Sequence, residues 1–243
     1  MKRPLLGLAI ATGALAAAPA AALAAAPTTV DVRVEGARAT LVATTVRTTT
    51  TPVIKDGDPA HSCAGTSGAG ALERATGGRW SGTWSDGLGY SVDAVRGERH
   101  AFGSGTFWSL YVNEVPASSG ICGIEPRRGD RLLIAPAPER GNAPAPLVLR
   151  APRRARAGRP FGVRVTAVAT TFDANFNATT TRRPVAGAVV RGRGVRVRTG
   201  ANGVATIRLR RGTTALRASR PGAIRSAART VRVSGARVPR FAG

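Results

Sequence analysis

Val30, Val32 and Val34 alternate with Asp31, Arg33 and Glu35. A period of two with one apolar face predicts a half-buried strand. Gly36 supplies a turn, and Ala39 to Val46 is expected to pair back on that strand. Thr48 to Thr51 continues it or opens a loop ended by Pro52, and Asp56-Gly57 signals a turn. The run Ser67-Gly68-Ala69-Gly70-Ala71-Leu72-Glu73-Arg74-Ala75 predicts the one helix, with Ser67 or Thr66 as its N-cap. Its two glycines make it weak alone, so the packing of Leu72 and the alanine face must hold it. A loop carrying Trp80 and Trp84 is expected to lead to a strand at Tyr90. From Phe107 to Asn113, period two sets Trp108, Leu110 and Val112 on one face and Phe107, Ser109, Tyr111 and Asn113 on the other. Gly129-Asp130 turns the chain into a closing strand, Arg131-Leu132-Leu133-Ile134.

The second half repeats the alternation in shorter pieces. Phe161, Val163, Val165 and Ala167 alternate with Gly162, Arg164 and Thr166. Val195, Val197 and Thr199 alternate with Arg196 and Arg198, and Ala205, Ile207 and Leu209 with Thr206, Arg208 and Arg210. Thr230 to Val233 closes the set, with turns at Gly192, Gly194, Asn202-Gly203, Gly212 and Pro221-Gly222. Short alternating strands at this spacing predict a β-sandwich.

The N-terminus changes what should be counted. Lys2 and Arg3 precede an alanine-rich apolar run from Leu5 to Leu23, followed by small-x-small cleavage sites at Ala22–Ala24 and Ala24–Ala26. Residues 1–26 are therefore expected to be a secretory signal peptide, and the protein to be exported. The C-terminal tail, 236–243, has neither a sortase-type motif nor an apolar span. No transmembrane segment is expected in the mature chain. Cys63 and Cys122 are the only cysteines, and an even count in an exported chain reads first as a disulfide. A redox pair would need closer spacing. His61 and His100 with the two cysteines match no compact zinc motif, so no metal site is expected.

Charge divides the chain. Residues 27–149 carry twelve basic and twelve acidic side chains; residues 150–243 carry twenty-two Arg and one acid, Asp173. The Pro/Ala alternation from 137 to 146 reads as a semi-rigid polyproline linker. The predicted organisation is a first domain at 27–136, the linker at 137–146, and a second domain at 147–235. Alternation puts Arg196, Arg198, Arg208 and Arg210 on outward strand faces, which makes them candidates for binding a polyanion such as an anionic cell-wall polymer. The bland alternative is a solvated exterior in a chain that uses 34 Arg against 2 Lys. No recognition helix or nucleic-acid motif is visible, so dedicated nucleic-acid recognition is not expected. There is no Gly-x-Ser-x-Gly elbow, no paired acids in a cleft motif and only two His, so no enzyme activity is expected.

Two resemblances add to this. Gly87-Leu88-Gly89-Tyr90-Ser91-Val92, Phe107 to Asn113, Gly123-Ile124 and Gly129 to Ile134 occur in that order. Together they resemble the bacterial domain-of-unknown-function family related to the transcobalamin C-terminal domain, over Thr28 to Pro136. The resemblance implies a β-grasp-like α+β domain with one helix and a ligand face. The resemblance carries over no complete ligand-contact set; by alternation and side-chain chemistry Phe107, Tyr111 and Asn113, with Tyr90, are the candidate ligand residues, and the alternative is that these aromatics are core and rim. The animal relatives bind cobalamin with a helical barrel that this chain lacks, and no cofactor is expected. Gly158-Arg159-Pro160-Phe161, Pro184 to Val190 and Thr199 to Ala205 resemble invasin-type bacterial Ig-like and carboxypeptidase-regulatory-like modules, over Pro146 to Ser234. Such modules serve as stalks, spacers or adhesive units. The expected fold is mainly β, with an Ig-like β-sandwich second. The expected function is a noncatalytic cell-envelope interaction; the alternative is binding of a small-molecule ligand by the first domain.

Overall fold

A computed structural model describes residues 25–175 and 178–235. Nearly all of the predicted signal peptide and the tail at 236–243 lie outside the described residues. The structure is mainly β with a single helix. The first unit runs β1 (Thr29–Glu35), β2 (Thr40–Arg47), α1 (Gly68–Thr76), β3 (Trp80–Ser85), β4 (Gly89–Val95), β5 (Glu98–Arg99), β6 (Thr106–Val112), β7 (Val115–Pro116) and β8 (Arg131–Pro138). Its main sheet has the order β2-β1-β8-β6-β7, and β8 runs parallel to β1. A hairpin, a helix and a returning central strand parallel to the first give the β-grasp connectivity. A small sheet, β3-β4-β5, is inserted after the helix.

The predicted Trp80–Trp84 loop is instead a strand, β3, paired along its length with β4. Ser81 and Gly82 weaken its local signal; the pairing with β4 and the burial of Trp80 supply what propensity does not. The helix is capped as expected by Ser67, whose hydroxyl accepts from Ala69 N at 3.2 Å. Its glycines have a packing reason: a Cβ on Gly70 would fall 1.8 Å from Gly65 O. The helix thus sits directly on the loop that carries Cys63, and Leu72 joins Val32, Val34, Trp108 and Ile134 in one core. Cys63 and Cys122 form a disulfide with a Cα–Cα distance of 5.0 Å and a sequence separation of 59. A loop of that length corresponds to about 4 kcal/mol in the chain-entropy account.

The second unit runs β9 (Ala145–Arg150), β10 (Arg154–Arg156), β11 (Phe161–Phe172), β12 (Ala178–Pro184), β13 (Val189–Gly192), β14 (Val195–Arg198), β15 (Val204–Ile207), β16 (Gly212–Ser219), β17 (Ala223–Ile224) and β18 (Arg229–Ser234). One sheet has the order β10-β18-β16-β13-β14; the other is β12-β11-β9-β17, with β15 also on β11. Leu149, Val165 and Ile207 of one sheet meet Val190, Leu216 and Val231 of the other in a shared core, which makes a sandwich.

The linker is shorter than expected and does not act as a spacer. β8 extends to Pro138 and β9 starts at Ala145, which leaves residues 139–144 between them. Leu132, Leu133, Ile134 and Ala135 are all buried because β8 is covered on both faces. Leu132 and Ile134 face the helix side, while Leu133, Ala135 and Tyr111 pack with Ile224 of the second unit. A polar cluster adjoins this patch. Glu35, only 2% exposed, accepts from Arg33 Nη1 and Arg225 Nε, each at 2.8 Å, and from Thr40 Oγ1 at 3.0 Å. Arg217 Nη1 lies 3.5 Å from Glu35 Oε1, and Arg225 also donates to Gly36 O at 2.6 Å. Burial lowers the pKa of Arg33, against the opposing pull of Glu35.

Candidate functional site: an arginine belt on the sandwich

Strand alternation sends Val231 and Val233 into the sandwich core and Arg232 outward. Register then sets like charges opposite one another. Arg154 pairs with Arg232 across β10 and β18, and Arg191 pairs with both Arg217 and Arg196 across β16, β13 and β14. Like charges directly opposite one another are destabilising.

Three depressions adjoin along this side. The first, about 840 Å³, is lined by Arg193, Arg208, Arg210 and Arg211. The second, about 520 Å³, shares Arg211, Gly212 and Thr213 with the first and adds Arg154 and Arg232. The third, about 510 Å³, shares Arg154 and Arg232 and adds Arg153 and Arg229. Eight guanidinium groups thus surround one continuous track, and no carboxylate lines any part of it. All but Arg229 are exposed. Guanidinium forks match phosphate and carboxylate oxygens in pairs.

The sequence placed four arginines on outward faces of two strands, which would form one surface only if those strands were neighbours, and the structure divides them. β14 hydrogen-bonds to β13, whereas β15 hydrogen-bonds to β11 in the opposite sheet. β15 ends at Ile207, so Arg208 and Arg210 stand on the connection to β16. Those two line the first depression; Arg196 and Arg198 lie on β14 and do not. Arg153, Arg154, Arg193, Arg211, Arg229 and Arg232 were missed. Their signal was an Arg-rich sequence around turns, but nothing local says which turns share an end of the sandwich.

The first-unit candidates are also divided. Trp108, Leu110 and Val112 of β6 pack on the first core as the alternation predicts, and the second unit covers Tyr111 on the other face. Tyr111 is 1% exposed and donates from its hydroxyl to Pro144 O at 3.1 Å; burial raises its pKa. Asn113 lies past the strand at φ 53, where its amide donates to Asp130 Oδ1 and its carbonyl accepts from Arg131 N. It is a turn-closing residue, not part of a flat ligand surface. Tyr90 is also 1% exposed, and burial raises its pKa. Its hydroxyl lies 2.8 Å from both Asp56 Oδ1 and His61 O and accepts from Lys55 N at 2.9 Å. Phe107 is half-buried on a cleft between β4 and β6, whose lining also includes the buried Tyr90, so the structure brings these two of the four together.

His61 and His100 stand in separate networks. His61 Nδ1 meets Asp56 Oδ2 at 2.6 Å, and the His61 ring stacks on Trp84 at 4.8 Å. Desolvation raises the Asp56 carboxyl, but hydrogen bonds from His61, Tyr90 and the Asp58 amide outweigh it and lower the group to about 2. His100 bridges Thr106 and Glu98. Among the described residues there is no cluster of three or more metal-ligating side chains, and no helix long and apolar enough to cross a membrane. Comparison with protein-family models, curated proteins and solved structures finds no match.

Proposed function

We propose that this is an exported, noncatalytic interaction protein whose second unit holds an anionic cell-envelope polymer along the arginine belt. The observation that carries the reading is the uninterrupted run of eight guanidinium groups without a lining carboxylate. The cross-strand Arg154–Arg232 pair on the track supports it, since a bound polyanion would relieve that repulsion. The resemblance to Ig-like spacer modules is compatible with an adhesive role, and the first unit is then the part displayed.

The test uses the mature chain on beads bearing an anionic polymer, with polyphosphate and polyglutamate run in parallel. Exposed charges act through a field screened over about 8 Å at physiological salt, so retention should fall steeply with added salt. Reversing Arg154, Arg211 and Arg232 to Glu should abolish retention at moderate salt. Reversing Arg196, Arg198 and Arg182, which lie off the track, should reduce it far less. Equal loss from the two triple variants would reduce the belt to generic charge.

A further inference from the structure

The first unit has a concave site of different chemistry. The cleft between β4 and β6 measures about 740 Å³, within the range of roughly 300–1,000 Å³ usual for small-molecule sites. Two large apolar side chains on it stand in water, Leu88 at 66% exposure and Phe102 at 64%. The Phe102 ring stacks on Phe107 with centroids 4.7 Å apart and planes 15° from parallel. Together they offer a flat aromatic wall whose outer area is unburied, so a ligand covering it gains by removing apolar surface from water.

One polar group fixes what such a ligand must carry. Asp93 lines the same cleft and is 8% exposed. Its Oδ2 accepts from the Thr83 hydroxyl at 2.6 Å, while Oδ1 has the Ser91 hydroxyl at 3.5 Å, the outer limit of a hydrogen bond. A nearly buried carboxylate oxygen so weakly served gains from a donor brought by a ligand. Arg99, also on the cleft, is exposed, and its charge stays hydrated.

We propose that this cleft binds a flat, largely apolar fused-ring compound bearing an N–H donor, an aromatic amine in its simplest form. The rings lie against Phe102, Phe107 and Leu88, and the amine donates to Asp93 Oδ1. The site is independent of the arginine belt and of any polymer held there.

Fluorescence titration of the intact chain with 1-aminoanthracene tests this. Saturable one-to-one binding with a blue-shifted emission is expected. Phe102→Ala, at an exposed position, should weaken binding about tenfold without lowering the melting temperature, and Leu88→Ala should weaken it less. The N,N-dimethyl derivative, which has the rings but no donor, should bind more weakly to the parent chain. Asp93→Asn should remove most of that difference, and the derivative pair reads the same donor if that variant does not fold. Absence of saturation, undiminished affinity in Phe102→Ala, or equal affinity for the amine and its dimethyl derivative overturns the proposal.

Discussion

Glu35 of the first unit accepts from Arg225 of the second through Nε at 2.8 Å, beneath a surface that leaves the carboxylate 2% exposed. Arg225 is not spending its charge on solvent. Its Nη2 and Nη1 reach the carbonyls of Gly36 and Ala37, while Arg33 returns a bond to Arg225 O at 2.7 Å. The hairpin turn after β1 is thus gripped from both sides, and the two units share a buried charge network.

Removing the carboxylate should therefore be costly. Glu35→Ala leaves Arg33, Arg217 and Arg225 facing one another without a counter-charge. Breaking one partner of a buried pair costs about 3–5 kcal/mol. Calorimetry should show a lower melting temperature and, with the joint weakened, two separable transitions where the parent chain gives one. A single unshifted transition would contradict this account of the joint.

Cys63→Ser should destabilise the chain by about 2–5 kcal/mol. The bridge ties the loop beneath α1 to the segment after β7, and a Cβ on Gly89 would meet Cys122 Sγ at 2.6 Å, so β4 rests directly on it. Because Tyr111 and Glu35 couple the units, the loss should also lower the unfolding temperature of the sandwich. Chemical denaturation followed by Trp fluorescence, in oxidised and reduced protein, measures the difference; the three Trp all lie in the first unit.

Trp108→Ala and Tyr111→Ala should both be destabilising, although the two side chains face opposite sides of β6. Trp108 fills the core under the helix and donates to Asp93 O at 3.2 Å; Tyr111 fills the joint. Large-to-small changes at such sites cost about 3–5 kcal/mol. Urea midpoints of the two variants should fall by comparable amounts, with Tyr111→Ala also raising protease sensitivity at residues 139–144. A Tyr111→Ala variant as stable as the parent would mean that the joint does not hold in solution.

Acid should weaken the first unit through Asp56. Its folded pKa, lowered to about 2, lies below the unfolded value of about 3.9. The folded state thus binds the proton less readily, and the group's contribution is fully present above the unfolded value and lost as pH falls towards 2. Urea midpoints measured from pH 5 down to pH 2 should decline less steeply in Asp56→Asn than in the parent chain. Identical slopes would remove Asp56 from the acid response.

Strands with strict alternation could be read from the chain: β1 from its three valines, the inward face of β6, and the outward arginines of β14 all follow from period two. The Ser67 cap and the cysteine pairing were also legible, because each is a local or forced choice. β3 was not, since Ser81 and Gly82 interrupt its strand signal without the partner strand. The start of β9, at Ala145 and Pro146, was hidden in the Pro/Ala run, because proline and alanine carry little strand signal. The ligand face failed on a different ground. Alternation shows which way Tyr111 points, but not that Ile224, more than a hundred residues later, will cover it. The belt failed likewise, because it is made by which turns meet at one end of the sandwich, a property of topology and not of any segment.

Pro136 and Pro138 have a consequence for association between copies of the chain. β8 pairs with β1 only as far as Ile134, but with β6 out to Pro138, so its last four residues form a sheet edge. Arg131 O faces β6, where it accepts from Asn113 N, so the odd-numbered residues of β8 bond inward and the even-numbered ones face the edge. Both prolines therefore stand where an outward N–H would otherwise offer itself to a foreign strand. Their rings remove those donors. Copies of the chain that meet at close range thus find at this blunted edge no template for zipping sheet to sheet.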